Sequence, residues 1–416
     1  MRAKGPAGRV LPLVVVVAVT EGDVRLAIAL REQGRHKKRV KLRLLLAAVV
    51  MSVQSLPSLA AVLAEDRADL LYHSYEGGGA EISGPSLLIR KKFSENVSAS
   101  FNHYVDHVSS ASIDVVTTAS PYTEEREENS LKLEFLNDKI LFNIGVTQSS
   151  ESDYDATTYS LGFSQDMFGD LTTLSMGFSQ GDNEVGRNGD AAFAEDADWR
   201  SYRVGVTQVL TRNLVSALSY EAISDEGFLN NPYRSVRYVD PTVARGYSFQ
   251  AEVYPNTRTS NAFALRAKYY LAHRAALHVG YRYFDDSWGI KADTFELGYT
   301  WPYSSDWTFE FSFRDYGQSR ADFYSDLFAF ANAQNFLARD KELSSFTSRT
   351  LGIGASYALQ AQDSRFFDRF SLNLNLDTID FVYEDFRDLT LNAPPGSEPL
   401  YRFDATVIRF FISAWF

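Results

Sequence analysis

The 416-residue chain contains no cysteine, which excludes disulfides, thiolate metal sites and thioether-attached haem. Long apolar runs are equally scarce. Past residue 64 no stretch approaches the ~20 apolar residues that a membrane helix needs, so that part of the chain is not a helical membrane bundle. There is no P-loop, dinucleotide fingerprint or HExxH motif. None of the six His stands in a recognisable Ser/His arrangement. The reading is therefore a non-enzyme with no cofactor and no metal. Positive charge is also in deficit: the net charge of -12 argues against nucleic acid, which wants a basic face.

Aromatic residues and glycine are plentiful, with 23 Tyr, 30 Phe and 25 Gly at a mean hydropathy of -0.22. A chain so aromatic and yet slightly hydrophilic must interleave its apolar residues with polar ones. At the N-terminus, VKLRLLLAAVVMSVQSLPSLAAVLA (40–64) has a basic start at Lys41 and Arg43, and an apolar core from Leu44 to Val53. It closes on small residues at Ala60 and Ala64, as a secretory signal does. Cleavage is expected after Ala64, with Ala60 as the alternative. The preceding residues 1–39 are expected to be an artefact of a start placed too far upstream, with Val40 the initiator read from a GTG codon. Residues 65–416 then form one domain. Removing 1–64 takes away 11 basic and 3 acidic residues, leaving 30 against 50 and a net charge of -20. Such an exterior suits contact with lipopolysaccharide and divalent cations.

From there the chain alternates to its end. WTFEFSFRDY sets Trp307, Phe309, Phe311 and Phe313 on one face and Thr308, Glu310, Ser312 and Arg314 on the other. FSLNLNLD, ALHVGYRYF and TFELGYTW repeat the pattern. Segments of ~10 alternating residues joined by turns that are by turns short and long are the mark of an outer-membrane barrel. Short connections fall at 94–96, 137–139, 166–170, 211–213, 272–275 and 302–306, with a longer one at 360–369. Long polar stretches lie between them, around 109–129, 149–157, 181–199, 224–259, 285–292, 317–346 and 384–400. Short turns belong to the periplasmic side and long loops to the outside. Counting from Pro85 gives fifteen strands, the first starting outside, so one more must precede it. ADLLYHSYE (68–76), closed by a Gly77-Gly78-Gly79 turn, supplies it. The expectation is an all-β, sixteen-stranded antiparallel barrel in the Gram-negative outer membrane with both termini periplasmic; 14 or 18 strands are the alternatives. Ile408, Phe410, Ile412, Ala414 and Phe416 share a face in the last strand. Ending on Trp415 and Phe416, that strand is expected to be the signal read by the barrel-assembly machinery. Trp301, Trp307 and Trp415 sit where an aromatic girdle belongs.

Several long strings carry a further resemblance: EDRADLLYHSYEGGG, SSASIDVVTTASPYTEEREENS, SQDMFGDLTTLSMGFSQG, DEGFLNNPYRSVRY, EVYPNTRTSNAFALRAKYY and NFLARDKELSSFTSRTLG. Over essentially the whole of 65–416 the sequence resembles the bacterial family called domain of unknown function 3570. That resemblance implies an outer-membrane barrel and no established activity. It also implies a loose association with small lipoproteins, thioredoxin-like periplasmic redox proteins and flavin-attaching enzymes.

The candidate site is the inner wall. The face opposite the apolar stripe carries the bases Arg90, Lys92, Lys132, Arg203, Arg266, Lys268, Arg282, Arg314 and Arg409, and the acids Glu134, Glu221, Glu296, Glu310 and Asp377. This excess of bases lines an anion-preferring pore, because a charged wall in a narrow aqueous channel focuses potential. The plainer alternative is a set of cross-strand ion pairs that stiffen the wall. In the loops, EEREE (124–128), ESDYD (151–155) and GDNEVGRNGD (181–190) offer oxygen ligands of the kind calcium takes. None has EF-hand spacing, and solvated acidic loops are the preferred reading. The longest loop (225–259) and the segment 332–345 either fold inward as a constriction or cap the barrel. His103 and His107 share an outward face near the rim, which is a poor metal pair. The leading function is diffusion of small polar or anionic solutes. The runner-up is a structural or partner-binding barrel housing a small lipoprotein or periplasmic redox protein.

Overall fold

A sheet that presents one apolar face to lipid can leave no strand edge unpaired. The computed structural model, which describes residues 63–110, 122–361, 364–391 and 393–416, meets that demand by closure. Its strands are β1 (Arg67–Gly77), β2 (Ala80–Lys92), β3 (Val97–Ser110), β4 (Tyr122–Asn137), β5 (Ile140–Ser150), β6 (Tyr154–Met167), β7 (Thr172–Gly186), β8 (Ala194–Thr211) and β9 (Leu214–Gly227). They continue with β10 (Ser235–Val239), β11 (Tyr247–Ala251), β12 (Thr257–Tyr270), β13 (Ala276–Asp286), β14 (Lys291–Pro302), β15 (Trp307–Gln318), β16 (Phe346–Gln360), β17 (Arg369–Arg387) and β18 (Leu400–Trp415). β10 and β11 pair only with each other; the other sixteen form one closed antiparallel barrel. Its seam is β1 against β18, in register from Arg67↔Trp415 to Gly77↔Ala405. The expected strand number is thus found, including the first strand. Gly78 and Gly79 have φ of 58° and 79°, the left-handed pair that a two-residue hairpin turn requires. Residues 1–62, which hold the expected upstream extension and nearly all of the signal segment, lie outside the described residues.

The start of β1, the end of β18 and all seven short connections gather at one end of the barrel; the long loops and the glycine turn are at the other. Alternate residues on the outer wall are large, apolar and exposed, among them Leu133, Ile144, Leu161, Leu218, Leu265 and Leu351. Polar residues between them turn inward. That is the inverted arrangement of a protein solvated by lipid on its outside.

Two acidic segments expected in loops are on strands instead. β3 and β4 stay paired as far as Ser110↔Tyr122, and β7 and β8 as far as Gly186↔Ala194. Residues 124–128 and 181–186 therefore project as wall beyond the apolar belt, since polar alternating residues extend a ladder in water as well as apolar ones do.

At the loop end three loops fold together into a cap. The 228–256 loop contributes the β10–β11 hairpin. It is bridged to the 319–345 loop at Tyr238↔Phe328 and Val253↔Leu337. The cap has apolar cores of its own, one built around Tyr254, Trp288, Ile290, Phe323 and Tyr324, another around Val236, Phe328 and Leu337. Arg237 is wholly buried and binds Asp326 and Glu398, which ties the hairpin to the 388–399 loop. Arg339 meets the same Asp326 at 2.9 Å. The Tyr233 hydroxyl reaches Asp153 and accepts from the Asn188 amide, so the cap also leans onto the turns after β5 and β7. These contacts are made at strand ends, which favours the cap over a plug deep in the barrel.

At the opposite end aromatic side chains cluster as expected. Trp307 stacks on Phe309 and tilts against Tyr357, and Trp301 meets Tyr303 edge-on. Arg369 lies 4.4 Å from the Trp415 ring and Lys91 4.9 Å from Phe416. The last two residues are thus clamped by strands on both sides of the seam.

Candidate functional site

Each of the fourteen charged residues assigned to the inner wall adjoins at least one apolar residue in the chain. Arg90 lies next to Ile89, Lys132 and Glu134 flank Leu133, and Arg203 lies between Tyr202 and Val204. Arg266 follows Leu265, Glu296 separates Phe295 from Leu297, and Arg409 separates Ile408 from Phe410. Lys92, Glu221, Lys268, Arg282, Glu310, Arg314 and Asp377 hold the same parity in their segments.

The structure brings some of these together and leaves others apart. Arg203 binds Glu221 at 2.9 Å, Lys132 binds Glu134 at 2.9 Å and Arg409 binds Asp377 at 2.5 Å. Arg314 reaches Glu296 more loosely at 3.9 Å. Four of the five acids are therefore engaged. Among the described residues, Arg266, Lys268 and Arg282 have no carboxylate within ion-pair distance, and Glu310 has no cation. The ion-pair and pore readings are thus both represented: pairs stiffen the wall, and a cationic surplus remains. Arg266 and Lys268 are exposed, and the Lys132 and Arg314 side chains keep 45% and 41% of their accessible surface. Charges this open in the middle of a barrel wall face water rather than a packed interior.

Glycines on the inner wall make room for these groups. A Cβ on Gly352 would fall 2.2 Å from both Asp377 and Ser312, and one on Gly280 would fall 2.9 Å from the Glu296 carboxylate. Polar side chains of neighbouring strands lie flat across the gaps.

A second inward cluster escaped the sequence reading. The His73 imidazole stacks on Tyr104 at 4.9 Å, and its Nε2 meets Asp106 at 2.7 Å and the Tyr104 hydroxyl at 3.0 Å. Arg126, opposite Asp106 in the register, binds Glu128 at 2.6 Å and comes within 3.9 Å of Glu151. Burial, reinforced by Glu124, Asp153 and Asp106 against the pull of Arg126, raises the Glu151 carboxyl to about 7. His73 and Asp106 are 33 residues apart on strands that do not pair. Only the identity of the intervening residue, Gly84, could have signalled that a side chain crosses there. His103 and His107 lie on the outer face, on Asn129 and Glu125 respectively. Among the described residues no group of three His, Asp or Glu is arranged to hold a metal.

A closed barrel with a lipid-facing apolar belt, a polar lumen and loops collected at one end is an outer-membrane β-barrel of channel-like architecture. The chain belongs to the family described as "Protein of unknown function (DUF3570)", whose model matches residues 113–200 and 191–370. No curated protein matches it in sequence. Among solved structures it is similar to a bacterial polysaccharide outer membrane secretin, at 8% identity, TM-score 0.46, covering 85% of this chain and 100% of that one. CdiB from Acinetobacter baumannii gives 9%, 0.46, 84% and 60%, and the CymD monoaromatic hydrocarbon channel 11%, 0.39, 85% and 89%. Likeness at this level is of general shape alone.

Proposed function

We propose that this barrel is a passive channel of the outer membrane for small polar and anionic solutes, with its termini in the periplasm and its cap outside the cell. The observation that supports it most is the state of Arg266 and Lys268: cations on the inner wall of β12 toward the short-turn end, exposed to water and unmatched by any described carboxylate. A chain selected only for a stiff wall has no use for surplus charge, whereas a narrow aqueous passage gains selectivity from it. The acidic outer rim, where Glu125, Glu127 and Glu184 alternate with inward residues, suits lipopolysaccharide bridged by divalent cations. The aromatic C-terminus suits the assembly machinery.

The cap favours a second reading. A barrel covered at its loop end and bounded by short turns at the other is a cup open toward the termini, a shape that could house a small lipoprotein or a periplasmic redox protein. Swelling of liposomes carrying the folded protein separates the two. A channel admits small sugars and organic anions, with faster entry for anions of equal size. A cup gives no swelling and instead retains a periplasmic partner on purification from its own membrane.

A further inference from the structure

We infer that the inner wall of β12–β15 is a binding station for small multivalent oxyanions, held by Arg266, Lys268, Arg282 and Arg314. The inference rests on the channel reading and adds a site and a ligand class to it. Arg266 and Lys268 stand two apart on one face of β12. β13 pairs Gly280 with Arg266, Arg282 with Ala264 and His278 with Lys268, so the two arginines face the smallest residues across the ladder and the lysine faces an imidazole. β14 and β15 then bring Glu296 and Arg314 opposite each other. Arg282 lies within electrostatic reach of Arg266, Arg314 and Glu221.

Glu221 is already committed to Arg203 and to the Ser201 hydroxyl, both at 2.9 Å. That leaves two carboxylates on this stretch of wall, Glu296, loosely held by Arg314, and Glu310 of β15, against four cations. Aromatic rings support two of the guanidinium groups, Arg282 over Phe284 at 5.4 Å and Arg314 over Tyr316 at 5.2 Å. Cation–π contact fixes a guanidinium without using its N–H donors. Among the described residues neither Arg266 nor Arg282 spends those donors on the protein. Clustered like charges with free donors are relieved best by a ligand that brings two negative charges and several acceptor oxygens in one small body. Phosphate, sulfate and small dicarboxylates share that chemistry, and guanidinium binds it in bidentate fashion. Chloride offers one charge and no such geometry.

Inorganic phosphate is the probe. With single channels conducting in potassium chloride at neutral pH, added phosphate should reduce the chloride current saturably. In the double variant Arg266→Gln/Arg282→Gln the half-blocking concentration should rise roughly tenfold, the loss expected for two charge-assisted contacts. Removing equal charge elsewhere on the wall, in Arg90→Gln/Lys92→Gln, should leave the block within about twofold of the parent, because those residues lie on another arc of the barrel. A conducting parent that phosphate does not block overturns the station. So does a double variant that is blocked as readily as the parent, or an equal loss in the Arg90/Lys92 pair. If the parent does not conduct at all, the channel reading fails by itself. Calorimetric titration of phosphate into the same folded protein then decides the station: binding heat abolished by the double variant upholds it, and no heat in the parent overturns it.

Discussion

Arg237→Ala should unlatch the cap and leave the barrel standing. The guanidinium has no accessible surface and bonds in four directions: to Glu398 Oε1 at 2.5 Å and Oε2 at 3.1 Å, to the Asp326 carbonyl at 2.8 Å, and to the Asp326 carboxylate. The two acids lose different amounts. Asp326 keeps Arg339 at 2.9 Å, whereas Glu398 is left with two neutral backbone amides, that of Gly396 at 2.8 Å and its own. Burial acts to raise the Glu398 carboxyl, but the bonds from Arg237 outweigh it and hold the group below its usual range. Breaking a buried pair by deleting one partner costs about 3–5 kcal/mol. Since Asp326 stays compensated, the lower figure applies, and about 3 kcal/mol is roughly a hundredfold in the cap's opening equilibrium. Limited proteolysis and amide exchange at 235–251 and 388–399 measure that opening, and heat-modifiable gel mobility reports the barrel. The expected outcome is faster cleavage in these loops with unchanged barrel mobility. Unchanged cleavage, or loss of the barrel together with the cap, would refute the view of the cap as a separately latched unit.

Four further outcomes follow from particular residues. Glu252 is buried beside Asp340, and despite Arg234, the Tyr254 hydroxyl and the Arg339 amide its carboxyl is raised from 4.5 to about 7. The closed cap therefore holds a proton that the open loop releases between those values, so amide-exchange protection of the cap should fall as pH rises from about 4.5 through 7 and be flat in Glu252→Gln. Glu151, also raised to about 7 at the lumen wall, should gain a proton as pH falls through that value; anion preference then increases, and Glu151→Gln should show the acid-side preference at every pH, as reversal potentials would reveal. Gly352→Leu must displace Asp377 from the wall and loosen Arg409, so single-channel conductance should drop in a barrel that still folds, with no drop arguing against the lining role of the glycines. Deleting Phe416 removes the ring under Lys91 and beside Phe367, and should lower the yield of inserted barrel in pulse-labelled cells without changing conductance of the molecules that do assemble.

The barrel was legible because its rule is local. Period-two alternation and a turn every dozen or so residues are written into each segment, and parity demands the ADLLYHSYE strand. The assignment of Arg and Glu to one face used the same rule, since Leu265 and Phe313 name the lipid side for Arg266 and Arg314. Pairing across strands was less visible. Arg203 meets Glu221 only because β8 and β9 share a two-residue turn, while Asp106 meets His73 across Gly84. The cap was least visible. Arg237 and Glu398 are separated by 161 positions, and nothing in the spacing of either loop announces the other. Strand ends were misjudged for a related reason, because acidic residues such as those at 124–128 look like loop while their backbone continues the ladder.

The cationic lumen is read out by the reversal potential of single channels under a potassium chloride gradient. Conductance should be steady and reverse on the chloride side, shifting toward zero when Arg266, Lys268 and Arg282 are neutralised together. Reversal on the potassium side would contradict the cationic lumen, and silence from protein shown to be folded would contradict the channel.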